Sequence, residues 1–289
     1  MREYFRAEGF LEVETPVFLD APGFNAHIDE FTTEYRAARA ARRLWLRTSP
    51  EVFHKRLLAA GETKIFEIGK FFRNGETGTL HNPEFSGLEF YEVGFDYRRI
   101  MERTEQVLAR AMEAVAGTRT LTLKRATVDL ATPWERLSVR DAVKRFAGID
   151  LDAAPDARTL ADAARAKGIH VAADDAYDDV FFRILLEKVE HRLGAERPTF
   201  LYDYPASMAA MARRKAGEPG WAERVELYIA GVELANGFSE LTDPVEQRAR
   251  FLEEREQQAK RLGVAADTLP LDEAFLGALS SMPPCTGIA

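Results

Sequence analysis

Apolar and polar positions recur along this chain with periods that separate strands from helices over most of its length. Met1 to Glu8 reads as the end of a helix and Phe10 to Thr15 as a short extended piece. Pro16 to Ala41 follows as a long irregular segment with few periodic signals, of the kind that often forms active-site loops. Ser49-Pro50-Glu51 carries helix-start chemistry, with Ser49 as N-cap and Pro50 at the first helical position. Val52, Phe53, Leu57 and Leu58 then give an apolar face, and Gly61 ends the helix. Lys64 to Phe72 and Phe85 to Phe95 read as two strands joined by a polar loop, and Tyr97 to Ala116 as an amphipathic helix. From Arg119 to Arg197 the signal changes to short helices at Val139 to Ala147, Thr159 to Lys167 and Tyr177 to Leu193. The last carries a core-packing stripe of Tyr177, Val180, Phe181, Ile184, Leu185 and Val189. Pro198 to Tyr204 and Ala222 to Ala230 read as strands, and Asp243-Pro244 opens a charged helix that runs to Leu262.

Bulk properties narrow this picture only a little. A chain of 289 residues can bury a large core, and one domain with a helical insertion at about 119–197 accounts for the pattern. Its net charge of -8, from 47 acidic and 39 basic residues, disfavours broad electrostatic capture of nucleic acid. Cys285 is the single cysteine, so no internal disulfide forms. With no leader and no long apolar span, a soluble cytoplasmic protein without membrane contact is expected. Neither the Gly-x-Gly-x-x-Gly loop nor the Gly-x4-Gly-Lys-Ser/Thr loop is present, so a nucleotide would need a different architecture.

The loop between the two central strands supplies one. Arg73 leaves the first strand at its end, His81 and Asn82 return the chain, and Phe85, Glu89 and Tyr91 follow at even spacings on one strand face. A guanidinium holds a phosphate or carboxylate, an aromatic face stacks on a base, and a carboxylate with a phenol receives an ammonium group.

This block, Phe71-Phe72-Arg73-Asn74 through His81-Asn82-Pro83-Glu84-Phe85 to Leu88-Glu89-Phe90-Tyr91, resembles motif 2 of the class II aminoacyl-tRNA synthetases, in wording closest to the lysine branch. Thr48-Ser49-Pro50-Glu51, with the helical Lys55-Arg56-Leu57-Leu58, and Gly231-Val232-Glu233-Leu234-Ala235-Asn236-Gly237-Phe238-Ser239-Glu240-Leu241 resemble lysyl-tRNA synthetase segments in the same order. Leu11 to Pro16 resembles motif 1, whose proline lies at a dimer interface in the family. The resemblance implies an α+β fold, a class II antiparallel sheet flanked by helices, in a homodimer.

It also implies a site. Arg73 would be the catalytic residue, contacting the α-phosphate and the substrate carboxylate. Asn74, Gly75, His81, Asn82, Phe85, Glu233 and Leu234 would complete the ATP site, with Phe85 stacking on adenine. Glu226 and Glu233 would hold Mg2+ between the phosphates, although two glutamates so spaced are by themselves ordinary surface charges. Ser49, Pro50, Glu51, Glu89, Tyr91, Asn236, Phe238 and Glu240 would line a pocket for a lysine-like diamino acid. There Glu51 takes the backbone-type amine, and Glu89, Tyr91 and Glu240 the far ammonium.

Departures from a synthetase refine the expectation. No anticodon-binding domain precedes the motifs, and Ala289 aligns with a position that is glycine in synthetases. In both respects the chain resembles the stand-alone paralogue that ligates lysine or β-lysine to a lysine of elongation factor P. Stable tRNA binding is then not expected. The alternatives are a catalytic fragment of a lysyl-tRNA synthetase and a non-catalytic amino-acid-binding regulator. Gly75 occupies the place of a glutamate that recognises the adenine amino group, with Glu76 next to it, and the chain ends before motif 3, so weak nucleotide binding by these 289 residues is expected.

Overall fold

A computed structural model describes residues 1–24, 28–38, 40–123, 126–209 and 211–289. They form two compact units: residues 2–95 with 240–289, and residues 96–239 together with Met1.

The first unit is organised by the hairpin of Lys64–Phe72 and Glu84–Val93, paired antiparallel from Lys64 opposite Glu92 to Phe72 opposite Glu84. Cys285–Ile288 adds antiparallel to the second strand, with Gly287 opposite Tyr91, and Leu11–Glu12 adds parallel to the first. One face of this sheet is closed by aromatic packing of Phe5, Phe10, Phe66 and Phe90, with Phe5 stacked on Phe66 at 4.6 Å. The first strand has the expected bounds; the second stops at Val93, because Gly94 turns the chain with φ +85.

The segment read as irregular, Pro16 to Ala41, is corrected where it is described. Thr32–Ala37 and Ala40–Leu46 form an antiparallel hairpin to which Phe18–Leu19 adds. Every residue of Thr32–Ala37 is exposed, so no buried face imposes the alternation by which a strand is recognised. Residues 25–27 and 39 of that segment lie outside the described residues.

Helix Glu51–Ala59 begins one residue later than expected: Pro50 occupies the cap position and its carbonyl accepts from the backbone N–H groups of Phe53 and His54. Its buried residues are His54, Lys55 and Leu58, whereas Val52, Phe53 and Leu57 are half-buried, so the face turned inward is largely polar. Helix Pro244–Leu262 follows the expectation, with the Asp243 carboxylate accepting from the N–H groups of Val245 and Glu246.

In the second unit, Glu135–Ser138, Thr199–Pro205, Glu218–Ile229 and Val232–Ser239 lie side by side, and the short Arg214–Lys215 pairs with Glu218–Ile229. The first pairing is parallel and the others antiparallel, so both units are α+β with predominantly antiparallel sheets and parallel pairing at one edge of each. Helix Tyr97–Ala116 has the expected bounds, capped by Asp96 and ended by Gly117 in the left-handed region.

The stretch 119–197 is less purely helical than its sequence suggests. Thr120–Thr122 and Thr127–Asp129 form a small hairpin and Glu135–Ser138 joins the sheet, each too short to display a two-residue period. Residues 124 and 125 lie outside the described residues. The helix from Tyr177 is α-helical only to Ile184, then passes through a π turn at Leu185–Val189 and a 3-10 turn at Glu190–Arg192. Across the wider turn Leu185 and Val189 remain in the core with Val180, Phe181 and Ile184, so the stripe survives a change of helix type.

Candidate active site

Three acids of the first unit converge behind the hairpin. Glu89, on the strand Glu84–Val93, accepts from the Ser49 hydroxyl at 2.8 Å and the Tyr91 phenol at 2.8 Å, and the His54 Nδ1 lies 3.2 Å away. Even spacing places Phe85, Glu89 and Tyr91 on one strand face, as in the sequence reading. Ser49 therefore faces two ways, donating to Glu89 and accepting from the Glu51 backbone N–H at 3.1 Å. Glu51 and Glu240 share a cation, with the Lys55 Nζ 2.6 Å from Glu51 Oε1 and 2.7 Å from Glu240 Oε2. Helical i,i+4 spacing fixes the first contact. The second is held by the chain after residue 239, where the Glu240 N–H donates to the Cys285 carbonyl.

Burial sets the electrostatics of this cluster. Removal from water pushes the Glu240 carboxyl up to about 8 and raises Glu51, in each case against the pull of Lys55 and with the help of neighbouring acids. Tyr91 is held well above its ordinary value by burial and by the charges of Glu89, Glu51 and Glu240, so it remains a hydrogen-bond donor.

A second layer, not anticipated from sequence, supports the first. His54 Nε2 lies 3.0 Å from Glu67, whose carboxylate also accepts from Thr15 Oγ1 at 2.6 Å and from the Arg47 guanidinium at 2.6 Å. Burial opposes a charged imidazole, but the flanking carboxylates outweigh it and lift His54 to about 9. For Glu67 burial likewise opposes the charge, and its three donors bring the carboxyl down to about 2. The raised His54 value means stability that is complete below about pH 6.5 and lost as pH rises through about 9. The shift corresponds to about 3 kcal/mol. Thermal melts from pH 6 to 10 should therefore show wild-type stability falling across that window. A His54→Gln variant should be less stable at pH 6 and keep only the shallower fall up to about pH 8 that the raised Glu240 carboxyl imposes; parallel curves for the two proteins would contradict this origin.

The loop end of the hairpin carries the remaining first-unit candidates. Arg73 donates its backbone N–H to the Pro83 carbonyl, and its guanidinium lies 5.3 Å from the centroid of Phe85. Phe85 itself stacks on Phe71 at 5.4 Å. Asn74 is tied by its N–H to the Asp29 carbonyl, while His81 and Asn82 are exposed. Gly75 has φ +79, where a glutamate would be strained, and the neighbouring Glu76 reaches within 3.9 Å of Arg73.

The second unit carries the other candidates on the Glu218–Ile229 and Val232–Ser239 hairpin. Glu226 accepts from the Tyr228 phenol and the Arg224 guanidinium, both at 2.7 Å, and from the Tyr204 phenol. Arg224 also donates to Asn236 Oδ1 at 3.2 Å. Phe238 packs with Ala209, Ala212 and Ala222, whereas Glu233 and Leu234 are exposed. Hard oxygen donors suit Mg2+, which commonly takes one or two carboxylates and completes its shell with water and phosphate. Glu233 is an exposed carboxylate of that kind, whereas the Glu226 carboxylate is 5% exposed and already engaged by three donors, one of which it would have to give up to meet an ion. Among the described residues no group of three or more acid, His or Cys side chains is arranged to hold a metal alone.

The family described as tRNA synthetases class II (D, K and N) matches residues 1–289. The lysine–tRNA ligase of Synechococcus sp. (strain CC9605) is 39% identical over 291 residues, covering 100% of this chain and 56% of that protein. The lysine–tRNA ligase of Dehalococcoides mccartyi (strain CBDB1) is 38% identical over 290 residues, with 100% and 57% covered. That of Oceanobacillus iheyensis is 39% identical over 293 residues, again with 100% and 57% covered. The chain thus spans a little over half the length of these relatives.

Proposed function

We propose that this chain, which belongs to the class II tRNA synthetase family of the D, K and N enzymes, is an ATP-dependent, AMP-forming ligase that activates lysine or (R)-β-lysine and transfers it to a lysine side chain of elongation factor P. The observation that carries the substrate class is the buried convergence of Glu51, Glu89 and Glu240 with the Tyr91 phenol. Buried acids are costly unless cations answer them, and the four carboxylates Glu51, Glu67, Glu89 and Glu240 outnumber the cations Arg47, His54 and Lys55 by one, a deficit that the far ammonium of a diamino acid fills.

In this reading the substrate carboxylate attacks the α-phosphorus of ATP, the bond to pyrophosphate breaks, and an aminoacyl-adenylate forms. Arg73 brings positive charge to the two anionic reactants and stabilises the charge that develops on the α-phosphate. Phe85 offers its face to adenine, with Asn74, Gly75, His81, Asn82 and Leu234 beside the nucleotide. Glu226 and Glu233 would hold Mg2+, which when bound neutralises phosphate charge. The family resemblance would give Asn236 and Phe238 to the amino acid as well. The acceptor amine, once deprotonated, attacks the activated carbonyl and AMP leaves. We read residues 1–289 as one catalytic domain, with 119–197 inserted, acting in the cytoplasm as a homodimer. The exposed Leu11, Phe18 and Tyr35 near the motif 1 segment support an interface, and among the described residues no helix is long and apolar enough to cross a membrane.

The net charge of -8 and the Ala289 match support a protein acceptor rather than tRNA. The second reading, the catalytic part of a lysyl-tRNA synthetase, is favoured by the names of the relatives. The deciding experiment incubates full-length protein with ATP and labelled lysine or β-lysine, offering elongation factor P and lysine tRNA in parallel. Label is expected on elongation factor P. Label on tRNA alone would establish the second reading, and label on neither would leave an amino-acid-binding regulator.

A further inference from the structure

The pocket contains a cation of its own. Lys55 is completely buried, and its ammonium lies between Glu51 and Glu240 at 2.6 and 2.7 Å. Around it four carboxylates, Glu51, Glu67, Glu89 and Glu240, meet three cationic side chains, Arg47, Lys55 and His54. Arg47 and His54 are paired with Glu67 and Glu89, and among the described residues Lys55 is the cation seated directly between Glu51 and Glu240. Each of these two acids gives Lys55 one oxygen, leaving the other oxygen of each for a ligand.

We propose that Lys55 is a positioning residue of the amino-acid pocket, which holds the Glu51 and Glu240 carboxylates apart and aimed so that each presents an oxygen to a substrate ammonium, and thereby sets the preference for diamino over neutral amino acids. The inference rests on the proposed activation of a diamino acid at this site.

The physical argument turns on what happens without the ammonium. Two buried carboxylates left with no cation between them cannot both stay ionised, and the favourable outcome is one proton shared across a carboxyl–carboxylate hydrogen bond. The total charge is then unchanged, but the oxygens point at each other instead of at the ligand. A substrate ammonium would have to break that bond and expel the proton before it could bind. A neutral side chain of the same length has no far ammonium to lose from Glu240 and shares with lysine only the loss at the backbone-type amine. Burial pushes both acids toward protonation against the pull of Lys55, so removing the ammonium tips the pair in the direction burial already favours. The Glu240 share of the removed interaction concerns the far ammonium, remote from the reacting carboxylate, so that part of the loss falls on binding more than on the chemical step.

The test compares wild type, Lys55→Met and Lys55→Arg of the full-length protein. Calorimetry measures binding of lysine and of its neutral isostere norleucine, and pyrophosphate exchange separates KM from kcat. For Lys55→Met we expect at least a tenfold weaker affinity and a correspondingly higher KM for lysine, kcat within about threefold, and a lysine-to-norleucine preference reduced at least tenfold. Lys55→Arg, which keeps the charge, should recover part of the preference. If Lys55→Met does not fold, Lys55→Gln removes the charge while keeping hydrogen-bond donors for both acids, and the same loss of preference is expected of it. A lower melting temperature with unchanged lysine affinity and preference would overturn the role of Lys55 and leave the activation reading intact. Wild-type protein that binds lysine no better than norleucine would overturn both.

Discussion

Replacing Arg73 with alanine is expected to slow adenylate formation by on the order of 10³-fold, the scale seen when a preorganised donor to a developing charge is removed. Among the described residues of the first unit, no close ion pair occupies this guanidinium. Its contact with Glu76 is 3.9 Å long between side chains about a third exposed, which contributes little. Its Nε atom is buried without a hydrogen-bond partner, and the ring of Phe85 at 5.3 Å orients it without neutralising it. A charge positioned but not satisfied is suited to a phosphate oxygen. Lysine at this position should restore only a small part of the rate, because a point charge cannot bridge phosphate and carboxylate as a planar fork does. Folding should change by less than about 0.5 kcal/mol, since no structural ion pair is broken. Single-turnover AMP formation, alongside a melting curve, reads both effects. A rate within threefold of wild type at saturating ATP and lysine would remove Arg73 from the catalytic role.

What the sequence makes legible here follows from where periodicity is imposed. Tyr97–Ala116 and Val139–Ala147 each bury one side against a core, and Lys64–Phe72 is a largely apolar run that buries Ile65, Phe66 and Glu67 in succession, so their bounds are readable from residue types alone. The Thr32–Leu46 hairpin has one strand exposed throughout, and no pattern announces it. The candidate site divides in a similar way. The loop-edge groups Arg73 and Phe85, and the acids Glu51, Glu89 and Glu240, are found through local wording that resembles a known motif, and the last three stand together in the first unit. His54, Arg47 and Glu67 escape notice, and Lys55 is seen only as part of a resembling helix with no role in the site, because a charged or polar residue on a helix or strand is ordinarily taken to face water. Here their partners come from elsewhere in the chain: Lys55 from Glu240, His54 from Glu67 and Glu89, and Arg47 from Thr15 and Glu67. A polar pair at consecutive positions His54-Lys55, three to four residues before the fully buried Leu58, is the one local hint that this helix turns charge inward.

A methyl group at Gly287 is expected to damage the pocket from behind. Gly287 stands opposite Tyr91 in the antiparallel register, and a Cβ there would lie 2.2 Å from Tyr91 Cε1 and 2.5 Å from Cδ1. The ring has no free direction of retreat. It is 2% exposed, packs edge-on against His54 with centroids 5.3 Å apart, and is anchored by its phenol on Glu89 at 2.8 Å. Gly287→Ala must therefore either part the strands or swing the ring away from Glu89. Overpacking of this kind costs about 1–3 kcal/mol, and an overlap with a buried, anchored ring belongs at the upper end. Because Tyr91 is the group displaced, the loss should extend to function, with KM for the diamino acid rising more than KM for ATP. A double-mutant cycle isolates the cause. Tyr91→Ala alone leaves a cavity and Gly287→Ala alone forces a clash, but together the new methyl occupies space the ring has vacated. The pair should then be at least about 1 kcal/mol more stable than the sum of the single effects. Additive losses in denaturant melts would mean that the methyl is accommodated elsewhere, and that the contact between this glycine and the Tyr91 ring does not set the position of the phenol over the pocket.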